Sequence, residues 1–134
     1  MKYLAFLGMT FLATLLLAGC GGSGGAAPTA AIVGTPGTSA TLRIDPNPPT
    51  PMQEATLELT LRDGQGQAIL GASVQLDLTM PGMQMPVNQP QVTEVGRGVY
   101  RARAMFTMAG EWEVRADVNH GGEQLEFTFP LRTK

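Results

Sequence analysis

Residues 54–61 read EATLELTL, with an apolar side chain at every odd position and Glu or Thr at every even one. Because successive side chains of a strand point to opposite faces, this alternation predicts a β-strand with one buried face. Residues 72–79, ASVQLDLT, alternate in the same way with the apolar side chains at even positions. The two stretches predict neighbouring strands of an all-β domain.

Working outward, similar alternation gives seven predicted strands, and clusters of Gly, Pro, Asn and Asp separate them. Seven strands in about 95 residues predict an immunoglobulin-like antiparallel β-sandwich, with an open-ended barrel as the alternative. The predicted strands, A to G, cover about residues 40–45, 54–61, 72–79, 91–95, 99–106, 112–118 and 123–131.

The last two strands allow a prediction of register. If His120 and Gly121 form a two-residue hairpin turn, Val114 falls opposite Phe127 and Trp112 opposite Phe129. All four side chains then share one face with apolar neighbours, as a buried face requires.

The N-terminal residues predict export and attachment to a membrane. Lys2 precedes an almost wholly apolar run over residues 3–18, which is short for a bilayer span and typical of a signal peptide. Leu17-Ala18-Gly19-Cys20 resembles the bacterial lipoprotein box, in which the chain is cut before the cysteine and the thiol is lipidated. We therefore predict a signal peptide at residues 1–19, a lipidated Cys20 with a flexible Gly/Ser/Pro tether to residue 39, and a folded domain at residues 40–134.

Charge and residue types argue against several function classes. Loss of Lys2 with the signal peptide leaves eight basic and eleven acidic side chains, and the arginines are scattered among acids. Binding to nucleic acid is therefore not expected. The sequence has no Ser/His/Asp or Cys/His arrangement and no HExxH motif, so we predict that the protein is not an enzyme.

Methionine is the chemically distinctive residue that is clustered in this sequence. Residues 80–86 read MPGMQMP, and counting strand directions places every methionine after residue 20 at one end of the sandwich. This end, the methionine pole, is predicted to point away from the membrane, because the tether would enter strand A from the opposite end. His120, in the turn between strands F and G, is separated from the sulfurs. The methionines concerned are Met52, Met80, Met83, Met85, Met105 and Met108.

Three interpretations of the methionine pole remain open. Met80 and Met105 could cap the core between the sheets, with Met83 and Met85 as flexible packing above it. Alternatively, Met83 and Met85 could converge with one or both of Met52 and Met108 as a thioether site for Cu(I), which suits soft sulfur ligands. An exposed methionine patch that docks a protein partner is the third.

Several motifs resemble the YtkA-like domain, which is related to the FixH family of exported or membrane-attached bacterial β-sandwiches. The resemblance spans about residues 42–130, and its most specific parts are the runs MPGMQM at residues 80–85 and MAGEW at residues 108–112. Supporting matches are DGQG at 63–66, GASV at 71–74 and GVY at 98–100. Relatives are associated with copper handling, cytochrome oxidase assembly and heavy-metal efflux, and the matching positions imply Met80, Met83, Met85 and Met108 as site residues.

The expected protein is thus a lipoprotein of the cell envelope, periplasmic or on the outer surface, attached through its N-terminal lipid. Its predicted site for Cu(I) consists of Met83, Met85, Met108, Met80 and Met52. The site would serve copper homeostasis, oxidase assembly or metal efflux, with a protein partner at the methionine pole. The alternative is a metal-free binding or envelope-assembly module in which the methionines are packing and contact surface.

Overall fold

A computed structural model describes residues 30–33 and 37–134 of the chain. Within these residues the secondary structure consists of strands, and no helix there is long and apolar enough to cross a membrane. The predicted signal peptide and the lipidation of Cys20 lie outside the described residues. The eight strands are β1 (Ala30–Val33), β2 (Ser39–Asp45), β3 (Glu54–Arg62), β4 (Ser73–Thr79), β5 (Val92–Gly96), β6 (Val99–Met105), β7 (Gly110–His120) and β8 (Glu123–Thr133).

The strands form two antiparallel sheets. The larger has the order β1-β2-β3-β6-β5 and the smaller the order β4-β7-β8. Apart from β1, this is the division of strands found in constant-type immunoglobulin domains. The predicted immunoglobulin-like sandwich is therefore confirmed, and the open-ended barrel is wrong because the two sheets do not join into one closed sheet.

The core lies between the inner faces of the two sheets. The odd-numbered residues of β3 are buried, and so are the even-numbered residues of β6 and of the central parts of β4 and β7, as their alternation predicts. Phe106 and Trp112 meet edge to face with ring centroids 5.2 Å apart. Burying an aliphatic or aromatic side chain of this size stabilises the fold by about 1.5–3 kcal/mol.

The β7–β8 hairpin has a different register from the predicted one. Its turn residues are Gly121 and Gly122, and Val114 pairs with Phe129 rather than with Phe127. Both turn glycines have positive φ, 60° and 82°, as a two-residue type I′ turn requires, and His120 would be strained in such a position. Each residue of β7 therefore pairs with a β8 residue two positions later than predicted. Because side chains alternate with a period of two, the apolar face stays buried.

The loops gather at two ends of the sandwich. At the methionine pole, Met52 N donates to Phe106 O at 2.8 Å and Asn88 Nδ2 donates to Met105 O at 3.2 Å, so its loops are bonded together. The opposite end, here called the glycine pole, contains short glycine turns. Residues 46–53, 80–91 and 106–109 form the methionine pole, and residues 63–72, 97–98 and 121–122 form the glycine pole.

At the glycine pole, one tyrosine fastens the loop that follows β3, and one glycine packs closely against the end of β3 itself. Tyr100 Oη donates to Ile69 O at 2.8 Å and accepts from Ala72 N at 3.0 Å. Burial raises the pKa of Tyr100 above its usual value. Gly98 O accepts a hydrogen bond from Leu61 N at 2.9 Å, and a Cβ at Gly98 would lie 2.7 Å from Leu61 O. This close contact requires glycine.

Strand β1 lies inside the segment predicted to be a tether. Ala30 pairs with Leu42 and Val33 with Ser39 in an antiparallel ladder. The prediction that residues 20–39 are all tether is therefore wrong for β1 and for Ser39, which begins β2. β-branched Ile32 and Val33 favour a strand locally, although the segment as a whole is rich in Gly, Pro and small residues.

The direction of β1 also corrects the predicted orientation of the domain. β2 runs from the glycine pole to the methionine pole, and β1 runs antiparallel to it. The chain therefore enters β1 from the methionine-pole side. The prediction that the chain enters from the opposite end assumed that β2 is the first strand, and β1 invalidates that assumption.

Candidate functional site

The methionine run after β4 begins in a tight turn. Met83 N donates to Met80 O at 3.1 Å, and Gly82 has a φ of 77°. Pro81 supplies the fixed negative φ and Gly82 the positive φ of a type II turn. Met80 remains buried, whereas Met83 lies in solvent with 53% of its surface exposed.

Three methionines line one open cleft beside this turn. Met83 and Met85 come from the 80–91 loop and Met108 from the 106–109 loop, and the cleft has a volume of about 440 Å³. Met83 and Met108 are largely exposed, whereas Met85 packs partly against the core. The other lining residues are uncharged: Gln84, Pro86, Val87, Asn88 and Thr107.

The main chain at Met108 is held by two side chains. Trp112 Nε1 donates to Met108 O at 3.0 Å, and Thr133 Oγ1 donates to the same oxygen at 2.8 Å. Thr133 Oγ1 also accepts from Gly110 N at 3.0 Å. The MAGEW spacing follows from this geometry, because the indole reaches back four residues to the start of the turn. Met108 is thereby presented from a fixed backbone.

Gly110, in the MAGEW motif, lies against the side chain of Met80, the first residue of the MPGMQM motif. Its φ is 139°, and a Cβ at this position would lie 2.9 Å from Met80 Cε. The absence of a side chain at Gly110 therefore gives Met80 room to pack against the start of β7. Met80 continues the buried even positions of β4, Leu76 and Leu78, into the loop.

Met80 and Met52 do not line the cleft. Met80 is 9% exposed and belongs to the core cluster. Met52 is 66% exposed in the 46–53 loop, where it has a φ of 62°. The five methionines predicted as a site thus divide into a cleft group of three, one core residue and one exposed residue. The binding of a metal by any of them stays a prediction.

Met105 does not cap the core, which corrects one interpretation of the sequence. The buried residues of β6 are Tyr100, Ala102 and Ala104, so Met105 points outward and is 44% exposed. The buried residues of β6 all have even numbers, so the sequence alone could have predicted that Met105, at an odd position, faces outward. Met80 alone of the proposed pair fills the core.

His120 lies at the glycine pole, at the exposed end of β7. It lines a separate surface groove together with Asp63 and Glu123. Throughout residues 37–134, no three His, Cys, Asp or Glu side chains form a group that could hold a metal ion.

Sequence reasoning missed two residues that position the loops of the site. Asn88 O accepts from Leu78 N at 2.9 Å while its side chain bonds Met105 O, so the 80–91 loop is fastened to both sheets. Thr133 fastens Met108 from β8, 25 residues away in the sequence. Neither residue has a spacing signal, because each acts on main-chain atoms that only the fold brings near.

A charged groove crosses the outer face of the larger sheet but offers little binding chemistry. Arg101 pairs with Glu58 at 2.9 Å and Arg103 with Glu54 at 3.4 Å, and all four side chains are partly or largely exposed. Such surface pairs contribute about 0–1 kcal/mol each. The groove is a solvated surface of mixed charge.

Comparisons with known proteins address the fold and the family. The fold is similar to the crystal structure of a DUF4785 family protein from Legionella pneumophila, with a TM-score of 0.51, 15% identity, and coverage of 72% of this chain and 28% of that one. The chain thus spans under a third of that protein, and the likeness shows the fold alone. No curated protein matches the chain. The model of the YtkA-like family matches residues 37–117, from just before β2 into β7. This chain belongs to the YtkA-like family.

Proposed function

We propose that this protein is a membrane-anchored, extracytoplasmic protein whose methionine cleft binds Cu(I) or hands it to a partner. The observation that carries the proposal is the meeting of Met83, Met85 and Met108, from two different loops, along one open cleft. We assign the protein no catalytic role.

The donor set of the cleft fits Cu(I) better than a hard cation. Thioether sulfur is soft and neutral, and Cu(I) accepts such ligands, whereas Mg²⁺ and Ca²⁺ require several oxygen ligands. No carboxylate lines the cleft to offset the charge of a bound cation. A monovalent ion therefore costs less free energy to place there than a divalent one. Met83 and Met108 would hold the ion from opposite loops, with Met85 beneath them.

The backbone of the cleft is arranged before any ligand binds. Pro81 and Gly82 set the turn that exposes Met83, and Trp112 and Thr133 fix the carbonyl of Met108. A fixed backbone lowers the entropy lost when side chains close around an ion. Only the methionine side chains, with their three rotatable bonds, need to reorganise.

The test is competition for Cu(I) against a chromophoric chelator, with the full-length protein in detergent under anaerobic conditions. We expect the protein to withdraw an equimolar amount of copper. Met83→Leu combined with Met108→Leu keeps side-chain size but removes two sulfurs, and should weaken binding by about tenfold or more, equivalent to about 1.4 kcal/mol.

Met105→Leu is the matched control, because Met105 ends β6 next to the methionine pole and is exposed but does not line the cleft. It should compete as well as the wild type. If the Met83/Met108 variant retains full competition, or if Met105→Leu weakens binding to the same extent, the copper proposal is refuted.

A second function is favoured by one observation at the same pole. Val87 is 78% exposed beside the cleft, and it offers no ligand to a metal. A metal-free module that docks a protein through this apolar surface would use such a residue. Absence of sulfur-dependent copper binding would favour this alternative.

Membrane attachment has its own test. Cys20→Ser, or treatment with globomycin, should leave an uncut or soluble form of the protein if Cys20 is lipidated. Unchanged processing and unchanged fractionation with membranes would refute the anchor.

A further inference from the structure

The chain approaches the folded domain from the methionine-pole side. β1 begins at Ala30, opposite Leu42, and runs toward the glycine pole. From Leu42, β2 continues for three more residues to its end at Asp45, a distance of about 10 Å. The N-terminal end of β1 is thus directed toward the methionine pole.

The connection to the membrane-attaching residues is short. Ala30 follows Cys20 by ten residues and the end of the apolar run, Ala18, by twelve. Ten residues span at most about 35 Å even when fully extended. Attachment through a lipid on Cys20 or through the apolar run itself would therefore hold the domain close to the bilayer.

The loops of the methionine pole carry no charged residue. Residues 46–53, 80–91 and 106–109 contain no Asp, Glu, Lys or Arg. The charged residues nearest to these loops lie in the flanking strands and at Lys134, whose N donates to Pro49 O at 3.2 Å. The glycine-pole loops, in contrast, contain Asp63 and Arg97. An uncharged surface can approach lipid without the large cost of removing ions from water.

The same pole also exposes most of the large apolar side chains. Of the seven that are exposed among residues 37–134, four lie in these loops, and a fifth, Met105, ends β6 directly before the 106–109 loop. Transfer of apolar surface from water to an apolar environment is favourable by about 25 cal/mol per Å². The five are Met52, Met83, Val87, Met105 and Met108.

We infer that the methionine pole rests on the surface of the lipid bilayer, so that the thioether cleft faces the membrane. The inference rests on the membrane anchor of the proposed function and adds an orientation and a contact surface to it. The occupant of the apolar patch is the interfacial region of the bilayer. Any exchange of a ligand at the cleft then takes place on the membrane side of the domain rather than on the side that faces bulk solvent.

The test compares two labelled positions in the full-length lipidated protein, reconstituted in vesicles of phosphatidylethanolamine and phosphatidylglycerol. Val87→Cys reports on the methionine pole and Leu70→Cys on the glycine pole, and both wild-type side chains are exposed. Each variant carries an environment-sensitive fluorophore, and part of the lipid carries a quencher. The chain without an added cysteine shows how much label reaches Cys20.

We expect the label at position 87 to shift to shorter wavelength and to be quenched several-fold more strongly than the label at position 70. Equal quenching at the two positions, or stronger quenching at position 70, would overturn the inference. Failure of the protein to sediment with vesicles would overturn the anchor and this inference together.

A second pair of variants tests the role of β1. Ala31→Pro with Ile32→Pro removes two backbone donors from β1 and should abolish its pairing with β2. In the Val87→Cys chain this change should reduce the difference in quenching between the poles. An unchanged difference would overturn the part assigned to β1. Copper competition in detergent is independent of orientation, so its outcome separates failure of the copper site from failure of bilayer contact.

Discussion

The two ends of the sandwich are built from different residues. The methionine-pole loops hold seven of the ten prolines in the chain and five of its eight methionines, with one glycine, Gly82. The glycine-pole loops hold no proline or methionine and have turns as short as two residues, at 97–98 and 121–122. Glycine with positive φ allows an abrupt reversal, whereas proline restricts a longer loop without closing it.

This difference separates two tasks. The glycine pole fixes how strands pair, because a two-residue turn specifies the register of its hairpin. The methionine pole displays side chains on loops that are fastened by a few hydrogen bonds, such as those of Asn88 and Thr133. Substitutions at the first pole should therefore affect stability most, and exposed substitutions at the second should affect binding.

The largest loss of stability is expected for Gly98→Ala at the glycine pole. The new Cβ would lie 2.7 Å from Leu61 O at a φ of 74°, so strain and overlap together should lower the free energy of unfolding by about 4 kcal/mol. Gly66→Ala is the control, because its φ is similar, 78°, but no neighbouring atom lies within 4 Å. It should cost about 1 kcal/mol in urea unfolding. Equal losses would show that the contact at Gly98 is unimportant.

Met80→Ala should show that one methionine of the methionine pole belongs to the core. Removing this buried side chain should cost about 3 kcal/mol, within the range for large-to-small core substitutions. Met83→Ala, at an exposed position three residues later, should change stability by less than about 0.5 kcal/mol. Thermal or urea unfolding of both variants measures the contrast, and similar values would contradict the division between core and cleft.

Tyr100→Phe should cost about 2 kcal/mol, because Ile69 O and Ala72 N lose their shared partner. Its effect on pH dependence is also specific. Burial raises the pKa of the native phenol, so above the unfolded pKa of about 10 the unfolded state loses its proton first and stability falls as pH rises. The stabilisation that comes from the protonated phenol of Tyr100 is fully present below pH 10. The phenylalanine variant should show a shallower alkaline decline, and an identical decline would contradict the assignment to Tyr100.

Apart from the control variants, Thr133→Val should have the smallest effect, about 1 kcal/mol, because Met108 O keeps its bond from Trp112 while Gly110 N loses an acceptor. Hydrogen exchange at the amide of Gly110 measures the local change. The amide should exchange faster in the variant while the amides of β3 remain protected. Unchanged exchange at Gly110 would remove Thr133 from the role of holding this loop.

Much of this architecture could be predicted because alternation with a period of two survives in the core strands. Leu57 and Leu59, or Leu76 and Leu78, place the buried face without any knowledge of partners. Gathering the methionines at one pole required only the number and direction of the strands. The family resemblance predicted from the MPGMQM and MAGEW runs is confirmed.

The errors arose where a local choice depends on a partner. The β7–β8 register was wrong by two residues, because two neighbouring dipeptides, His120-Gly121 and Gly121-Gly122, both contain a turn-forming glycine and only backbone strain decides between them. β1 was missed because four residues next to Gly and Pro gain strand structure only by pairing with β2. The division among the five proposed site methionines depends on loop packing at Gly110, which alternation cannot supply.

The bond from Thr133 to Met108 has a consequence for how this domain can be cut. The region recognised by the family model ends at residue 117, so a fragment trimmed to that boundary would lack all of β8 and the hydroxyl that holds the Met108 turn. Such a fragment would also leave a gap beside Val114, because it would lack the buried side chains of Phe127, Phe129 and Leu131. A fragment intended to keep the methionine cleft must therefore extend through β8, beyond the residues that the family model matches.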